Sequence, residues 1–193
     1  MGNQDPTQLR KKFDHFREEC IWITNCYNLY RTLYEGGEAT DAVLERVASA
    51  FFHDLNRIMV EHILLQICKI TDPASSGHRQ NLTVESLNND LDTLGLISQD
   101  IIDRGEELKD YRDLIVRARN RLISHLDWQS VKEGKPLGEH EAREVSQFFA
   151  CLFRYTDLVG EACGSGPLDY SVSACQGDAI DLLRALRNLS SRN

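Results

Sequence analysis

Residues 8–34 decide the fold, and they read QLRKKFDHFREECIWITNCYNLYRTLY. Apolar residues recur in them at alternating steps of four and three, at Leu9, Phe13, Phe16, Cys20, Ile23, Tyr27, Tyr30 and Tyr34. This spacing places them on one face of a single α-helix of about 26 residues. Asp5 and Pro6 suit the N-cap and the first helical position, and Gly36-Gly37 suits the end. The stretch therefore predicts one long amphipathic helix.

The helical period continues along the rest of the chain. A second helix is expected to begin near Thr40 or Asp41 and to end before Pro73. Its predicted apolar face consists of Leu44, Val47, Phe51, Leu55, Ile58, His62 and Leu65. Further helices are expected after the caps Thr83 and Ser98, over residues 139–162 and over residues 178–189. Because no stretch of useful length follows a strand period, we predict an all-α, antiparallel bundle of about five to six helices.

Length and composition favour a single domain. The 193 residues are expected to form one helical domain over residues 1–193, with residues 164–193 as a C-terminal loop and helix packed on it. The six cysteines include no Cys-x-x-Cys pair, which argues against a thiolate zinc site. Residues 1–17 lack the apolar core of a signal peptide, and no apolar run approaches the ~20 residues of a membrane span. We therefore expect a cytoplasmic protein with no membrane contact, cofactor or metal.

The charge balance restricts the function further. The net charge of −8 argues against broad, non-specific binding to nucleic acid, although it leaves room for a small basic site. The sequence contains no Gly-rich phosphate loop, no His-Glu-x-x-His, no Gly-x-Ser-x-Gly and no EF-hand loop. The Glu-x-x-His pairs of di-iron helical bundles are also absent.

One segment, residues 116–128 with the sequence VRARNRLISHLDW, has the composition of a reactive site. Arg117, Arg119 and Arg121 lie within five residues of one another, with no acidic residue between them. Guanidinium groups hold phosphate in a fork geometry and keep their charge, and His125 can exchange a proton near neutral pH. These groups together suit the cleavage of an RNA phosphodiester.

The same segment resembles the HEPN superfamily. HEPN ribonucleases carry an Arg, then four to six residues, then a His, usually with a polar residue directly after the Arg, as at Arg119-Asn120 and His125. The abortive-infection U-type branch is more similar still, because its Arg-Asn-basic run ends in His-x-Asp, as it does here at Asp127. Thr71-Asp72-Pro73 and Asn81-Leu82-Thr83 match two further landmarks of that branch, so that the likeness covers about residues 40–130.

The resemblance implies an all-helical HEPN-like fold, a homodimer with a composite site, and metal-independent RNA cleavage in phage defence or a toxin–antitoxin system. It assigns catalytic roles to Arg119, Asn120 and His125. It assigns substrate binding to Arg117, Arg121 and Asp127. An RNA substrate and a protein partner, such as an antitoxin, are the expected partners besides a second copy of the chain.

A non-catalytic function is an alternative to the ribonuclease hypothesis. The Arg-to-His spacing alone also occurs at Arg10–His15, Arg46–His53 and Arg57–His62, so only its context distinguishes the pair Arg119–His125. On a straight α-helix these two residues point about 120° apart and lie ~9 Å apart along the axis. A single helix would not bring them together, whereas a dimer or a local distortion of the helix would. The alternative is a helical dimer that acts as a binding or antitoxin-like module.

Overall fold

The computed structural model describes residues 5–118, residue 120, and residues 142–170 and 175–190. These ranges contain six α-helices: α1 (Pro6–Tyr34), α2 (Glu38–Thr71), α3 (Val84–Thr93), α4 (Gln99–Ala118), α5 (Ala142–Ala162) and α6 (Ala179–Ser190). They also contain a two-stranded antiparallel hairpin of β1 (Ser75–Ser76) and β2 (Arg79–Gln80), with Ser75 opposite Gln80. The prediction of an all-α helical bundle is confirmed, and the short hairpin lies in the segment that connects α2 to α3.

Local capping signals set the starts of the helices as expected. Side-chain oxygens of Asp5, Thr83, Ser98 and Asp178 each accept a hydrogen bond from a backbone N–H in the first turn that follows. At α3 the cap is reciprocal, because the Ser86 hydroxyl also accepts from the Thr83 backbone N–H at 2.9 Å. α2 begins two residues before the predicted start, since the Gly37 carbonyl already accepts from the backbone N–H groups of Thr40 and Asp41.

The chain divides into two compact units, to each of which α1 and α2 contribute. The first unit comprises residues 1–21 and 64–169, and it contains β1, β2, α3, α4 and α5. The second comprises residues 22–63 and 170–193, and it contains α6. The expectation that residues 1–193 form one domain, with residues 164–193 packed on it, stays a prediction.

Aromatic and aliphatic side chains fill the core of the first unit. The fully buried ones include Phe13, Phe16, Leu87, Leu91, Leu108, Ile115, Leu152 and Tyr155. Tyr155 of α5 meets the Phe16 ring edge-on, with a centroid distance of 6.2 Å. Its hydroxyl donates to Asn88 Oδ1 of α3 at 2.8 Å and lies 3.2 Å from the Val84 carbonyl. Burial raises the pKa of Tyr155 well above its ordinary value, so the phenol remains a neutral donor that joins α5 to α3.

The core of the second unit shows that the predicted apolar face of α2 is partly wrong. This core contains Leu33 of α1, Val43, Leu44, Phe52 and Met59 of α2, and Ala179, Leu183 and Leu186 of α6. Of the predicted face, four residues are exposed instead: Val47 (40%), Phe51 (62%), Ile58 (61%) and, in the part of α2 that belongs to the first unit, Leu65 (37%). α2 carries two neighbouring apolar stripes, and the periodicity of the sequence does not indicate which of them faces the core.

Candidate functional site

α4 carries the start of the Arg-rich segment. It runs through Gly105 as one helix. A Cβ on Gly105 would lie 2.7 Å from Asn88 Nδ2, so the glycine permits α4 to approach α3 closely. Ile101, Leu108, Tyr111 and Ile115 are buried along one side of α4. This packing fixes the direction in which the C-terminal end of α4 points.

An ion pair holds α4 one turn before the Arg-rich segment. Arg112 Nε and Nη2 each lie 3.0 Å from Asp72 Oδ1, and both side chains are largely buried. Asp72 follows directly after α2, within the step Thr71-Asp72-Pro73. The sequence indicated this step as a landmark, but the partner of Asp72 lies 40 residues further along the chain and was not foreseen.

The predicted site residues lie mostly beyond the part of the chain that the structure describes. The backbone of Arg117 belongs to the last turn of α4, and Asn120 is exposed and π-helical. Arg119, Arg121, His125 and Asp127, together with the Arg117 side chain, are outside the described residues. Single π turns interrupt the regular α-helical phase and are common at functional sites. The catalytic and substrate-binding assignments therefore stay predictions.

The groove between α4 and α5 has the opposite character. It encloses about 650 Å³ and carries three acidic residues, Glu107, Asp110 and Glu144, against two arginines, Arg104 and Arg154. The thiol of Cys151 in this groove donates to the Arg104 carbonyl at 3.4 Å. Burial, together with Glu107, raises its pKa to about 12, so that the thiol stays protonated near neutral pH. The groove therefore offers no thiolate nucleophile and an unfavourable environment for phosphate.

Among the described residues, no group of three or more His, Cys, Asp and Glu side chains is arranged to hold a metal ion. Within the same ranges, none of the helices combines the length and the apolar character that a membrane crossing requires.

An all-α protein with an Arg-Asn-Arg-x-x-x-His-x-Asp segment after its fourth helix has the organisation of a HEPN domain. A family model described as AbiU2, of HEPN type, matches residues 7–187. The chain belongs to this HEPN AbiU2 family, which associates it with the ribonuclease-like modules of abortive infection. No curated protein and no solved structure was found to match the chain.

Proposed function

We propose that the protein is a metal-independent endoribonuclease of a phage-defence or toxin–antitoxin system. The observation that carries the proposal is the match to the HEPN AbiU2 family over residues 7–187, which includes the whole Arg-rich segment. The neutral and basic groups of that segment suit phosphodiester cleavage, and the segment begins within the last described turn of α4.

The proposed reaction is an internal transfer at phosphorus. The ribose 2′-oxygen forms a bond to the adjacent phosphorus while the bond from phosphorus to the 5′-oxygen breaks. His125 serves as general base or acid: as the base it takes the proton of the 2′-hydroxyl, while the departing 5′-oxygen takes a proton from water. Arg119 stabilises the charge on the phosphate, Asn120 orients it, and Arg117, Arg121 and Asp127 help to bind the RNA. The products end in a 2′,3′-cyclic phosphate and a 5′-hydroxyl.

The test is a cleavage assay on purified variants that retain their helicity. His125→Ala should lower the rate by ~10²–10⁴-fold, the usual contribution of a positioned proton-transfer group. Arg119→Ala should lower it by ~10²–10³-fold, as expected for a group that stabilises charge in the transition state. Arg46→Ala and His53→Ala are matched controls, because both residues are exposed on α2 and share only the loose spacing. Full activity of His125→Ala, or cleavage of DNA, would contradict the mechanism.

The proposal includes a homodimer, because one uninterrupted helix would not bring Arg119 and His125 together. The apolar side of α4, including Leu108 and Ile115, is buried within its own unit. A contact through α4 would therefore use another side of the helix or the residues that follow it. The second unit also leaves Phe51 and Ile58 exposed, and large exposed apolar side chains of this kind favour assembly with a protein partner.

Light scattering tests the dimer. The wild-type protein should have twice the mass of the 22.0 kDa chain at micromolar concentration. A monomer at that concentration would contradict the composite site. If Phe51→Glu converts the dimer into a monomer, the exposed residues of α2 belong to its interface.

A second candidate is a non-catalytic helical module that binds a protein, for example as an antitoxin. The acidic groove between α4 and α5 favours it, because Glu107, Asp110 and Glu144 suit a basic partner better than RNA. Wild-type protein that cleaves no RNA in the presence of its natural trigger would support this candidate.

A further inference from the structure

A second groove of the first unit is larger and has a different electrostatic character. It encloses about 820 Å³, a volume typical of ligand sites, and is formed by α1, the segment around the hairpin, and α3. α1 contributes Lys11, Lys12 and His15 to its lining, the hairpin segment contributes Gln80 and Asn81, and α3 contributes Asn89 and Asp90.

The charges of this groove favour an anionic ligand. The only carboxylate among its described lining residues is that of Asp90, and the Lys12 ammonium group contacts Asp90 Oδ2. The same ammonium group donates to the Ser86 carbonyl at 3.1 Å, so Lys12 and Asp90 largely neutralise each other. Lys11 has no carboxylate within ion-pair distance among the described residues and keeps its full positive charge. The groove thus carries a net positive charge on a chain whose total charge is −8.

The neutral groups of the lining indicate a ligand with more than a phosphate to recognise. Four carboxamides, those of Gln8, Gln80, Asn81 and Asn89, line the groove, and each offers both a donor and an acceptor. Carboxamides pair with the edges of unstacked bases, whereas free phosphate would favour more cations and fewer amides. Single-stranded RNA presents phosphate and unstacked bases together.

The walls of the groove are fixed by hydrogen bonds. Asn81 Nδ2 donates to the Pro73 carbonyl at 2.9 Å, and the Asn81 N–H donates to the Ala74 carbonyl at 2.8 Å. Glu85 Oε2 accepts from the Ala74 N–H at 2.8 Å. The Glu85 bond ties the hairpin segment to the start of α3, and the bond to Pro73 positions the Asn81 carboxamide before a ligand arrives.

We propose that this groove is an RNA-binding site outside the Arg-rich segment, and that it holds a single strand through Lys11 and the carboxamides. The inference rests on the proposed function for its substrate class, and it adds a binding surface that lies in the same unit as α4. The groove between α4 and α5 is less favourable for phosphate, because Arg104 is paired with Glu107 and the remaining Arg154 faces two further carboxylates, Asp110 and Glu144.

Binding is measured by fluorescence anisotropy on a labelled, uniformly 2′-O-methylated RNA of about 12 nucleotides. This probe has no free 2′-hydroxyl, so that binding is measured without cleavage. Log K falls linearly with log salt, and each phosphate contact on a single strand makes this slope steeper by ~0.7. Lys11→Ala should therefore make the slope shallower by ~0.7. The ratio of wild-type to variant affinity should be roughly fivefold larger at 0.1 M salt than at 1 M salt. Asn89→Ala should weaken binding and leave the slope unchanged.

Lys109→Ala is the matched control. It removes the same charge from the same unit, but Lys109 lies on α4 beside Glu106, with Nζ 3.7 Å from Oε1. Equal effects of Lys11→Ala and Lys109→Ala would overturn the groove, since the loss would then reflect total charge alone. Inorganic phosphate that displaces the RNA at millimolar concentration would also overturn it, because the site would then recognise phosphate only.

The outcomes separate this inference from the cleavage mechanism. If His125→Ala abolishes cleavage while Lys11→Ala binds RNA normally, the proposed RNA-binding role of the groove is wrong and the cleavage mechanism is supported. If Lys11→Ala weakens RNA binding and makes the salt slope shallower while wild-type protein cleaves no RNA, the binding role of the groove is supported and the cleavage mechanism is contradicted. Wild-type protein that does not bind the probe at low salt would overturn the groove directly.

Discussion

Asp72→Asn is expected to destabilise the protein by loosening α4 from the end of α2. The substitution keeps the shape of the side chain and one acceptor oxygen, so that it removes mainly the less exposed of the two carboxylate charges that face Arg112, the other being that of Asp113. Both nitrogen-to-oxygen distances in the pair are 3.0 Å, and the side chains of Arg112 and Asp72 are 19% and 26% exposed. The guanidinium group would therefore lose a charged partner in a largely buried position.

The magnitude follows from this burial. Exposed ion pairs contribute ~0–1 kcal/mol, and breaking a fully buried pair costs ~3–5 kcal/mol. A pair of intermediate burial should contribute about 1–2 kcal/mol to the free energy of unfolding. For a chain of this length that corresponds to a fall in Tm of about 2–8 °C.

The assay is thermal unfolding followed by circular dichroism, combined with hydrogen exchange of the last turns of α4. The control is Arg57→Ala, which breaks a pair of similar geometry with Glu61, at 2.9 Å, on the exposed side of α2. The control should leave the Tm unchanged within error, because solvent screens the exposed pair. An unchanged Tm for Asp72→Asn, or an equal fall for both variants, would refute the role assigned to the Asp72–Arg112 pair.

Three further predictions concern the core, the thiols and metal ions. Tyr155→Phe should lower the free energy of unfolding by about 1–3 kcal/mol in chemical denaturation, because Asn88 Oδ1 loses its buried donor; an unchanged midpoint would mean that the bond contributes nothing. Burial raises the pKa of Cys163 to about 11, so that only about one Cys163 thiol in a thousand is ionised at pH 8. In the native protein a maleimide should therefore label the exposed Cys175 far faster than it labels Cys163. Equal labelling of both thiols before denaturation would contradict this. If the protein cleaves RNA, a chelator should not change the rate, and an activity that magnesium or zinc restores would argue for a metal.

Much of the fold could be predicted from the sequence because helices are specified locally. The N-cap Asp5 and the stop before Pro73 each act over one or two helical turns, and the stripe in residues 8–34 repeats a spacing of three or four residues. The structure confirms all three features. The capping residue Thr83 likewise needs only its neighbour Ser86. The family could be recognised for a related reason, since the Arg-rich segment and its landmarks are short and contiguous.

The candidate site could be named from the sequence but not assembled from it. Arg119 and His125 follow a recognisable spacing, yet spacing along the chain does not fix the distance between the two side chains, and both residues lie outside the described residues. The roles of this pair therefore await the cleavage assay.

The sequence by itself determined the helical class, most helix ends and the family of this protein, since all three are read from residues close together in the chain. Only the tertiary structure decided which of the two apolar stripes of α2 is buried, and it left Phe51 and Ile58 exposed. It also paired Asp72 with Arg112, and it gathered Lys11, Gln80 and Asn89 around one groove. These contacts join residues tens of positions apart, and the packing of whole helices brings them together, which no local pattern encodes.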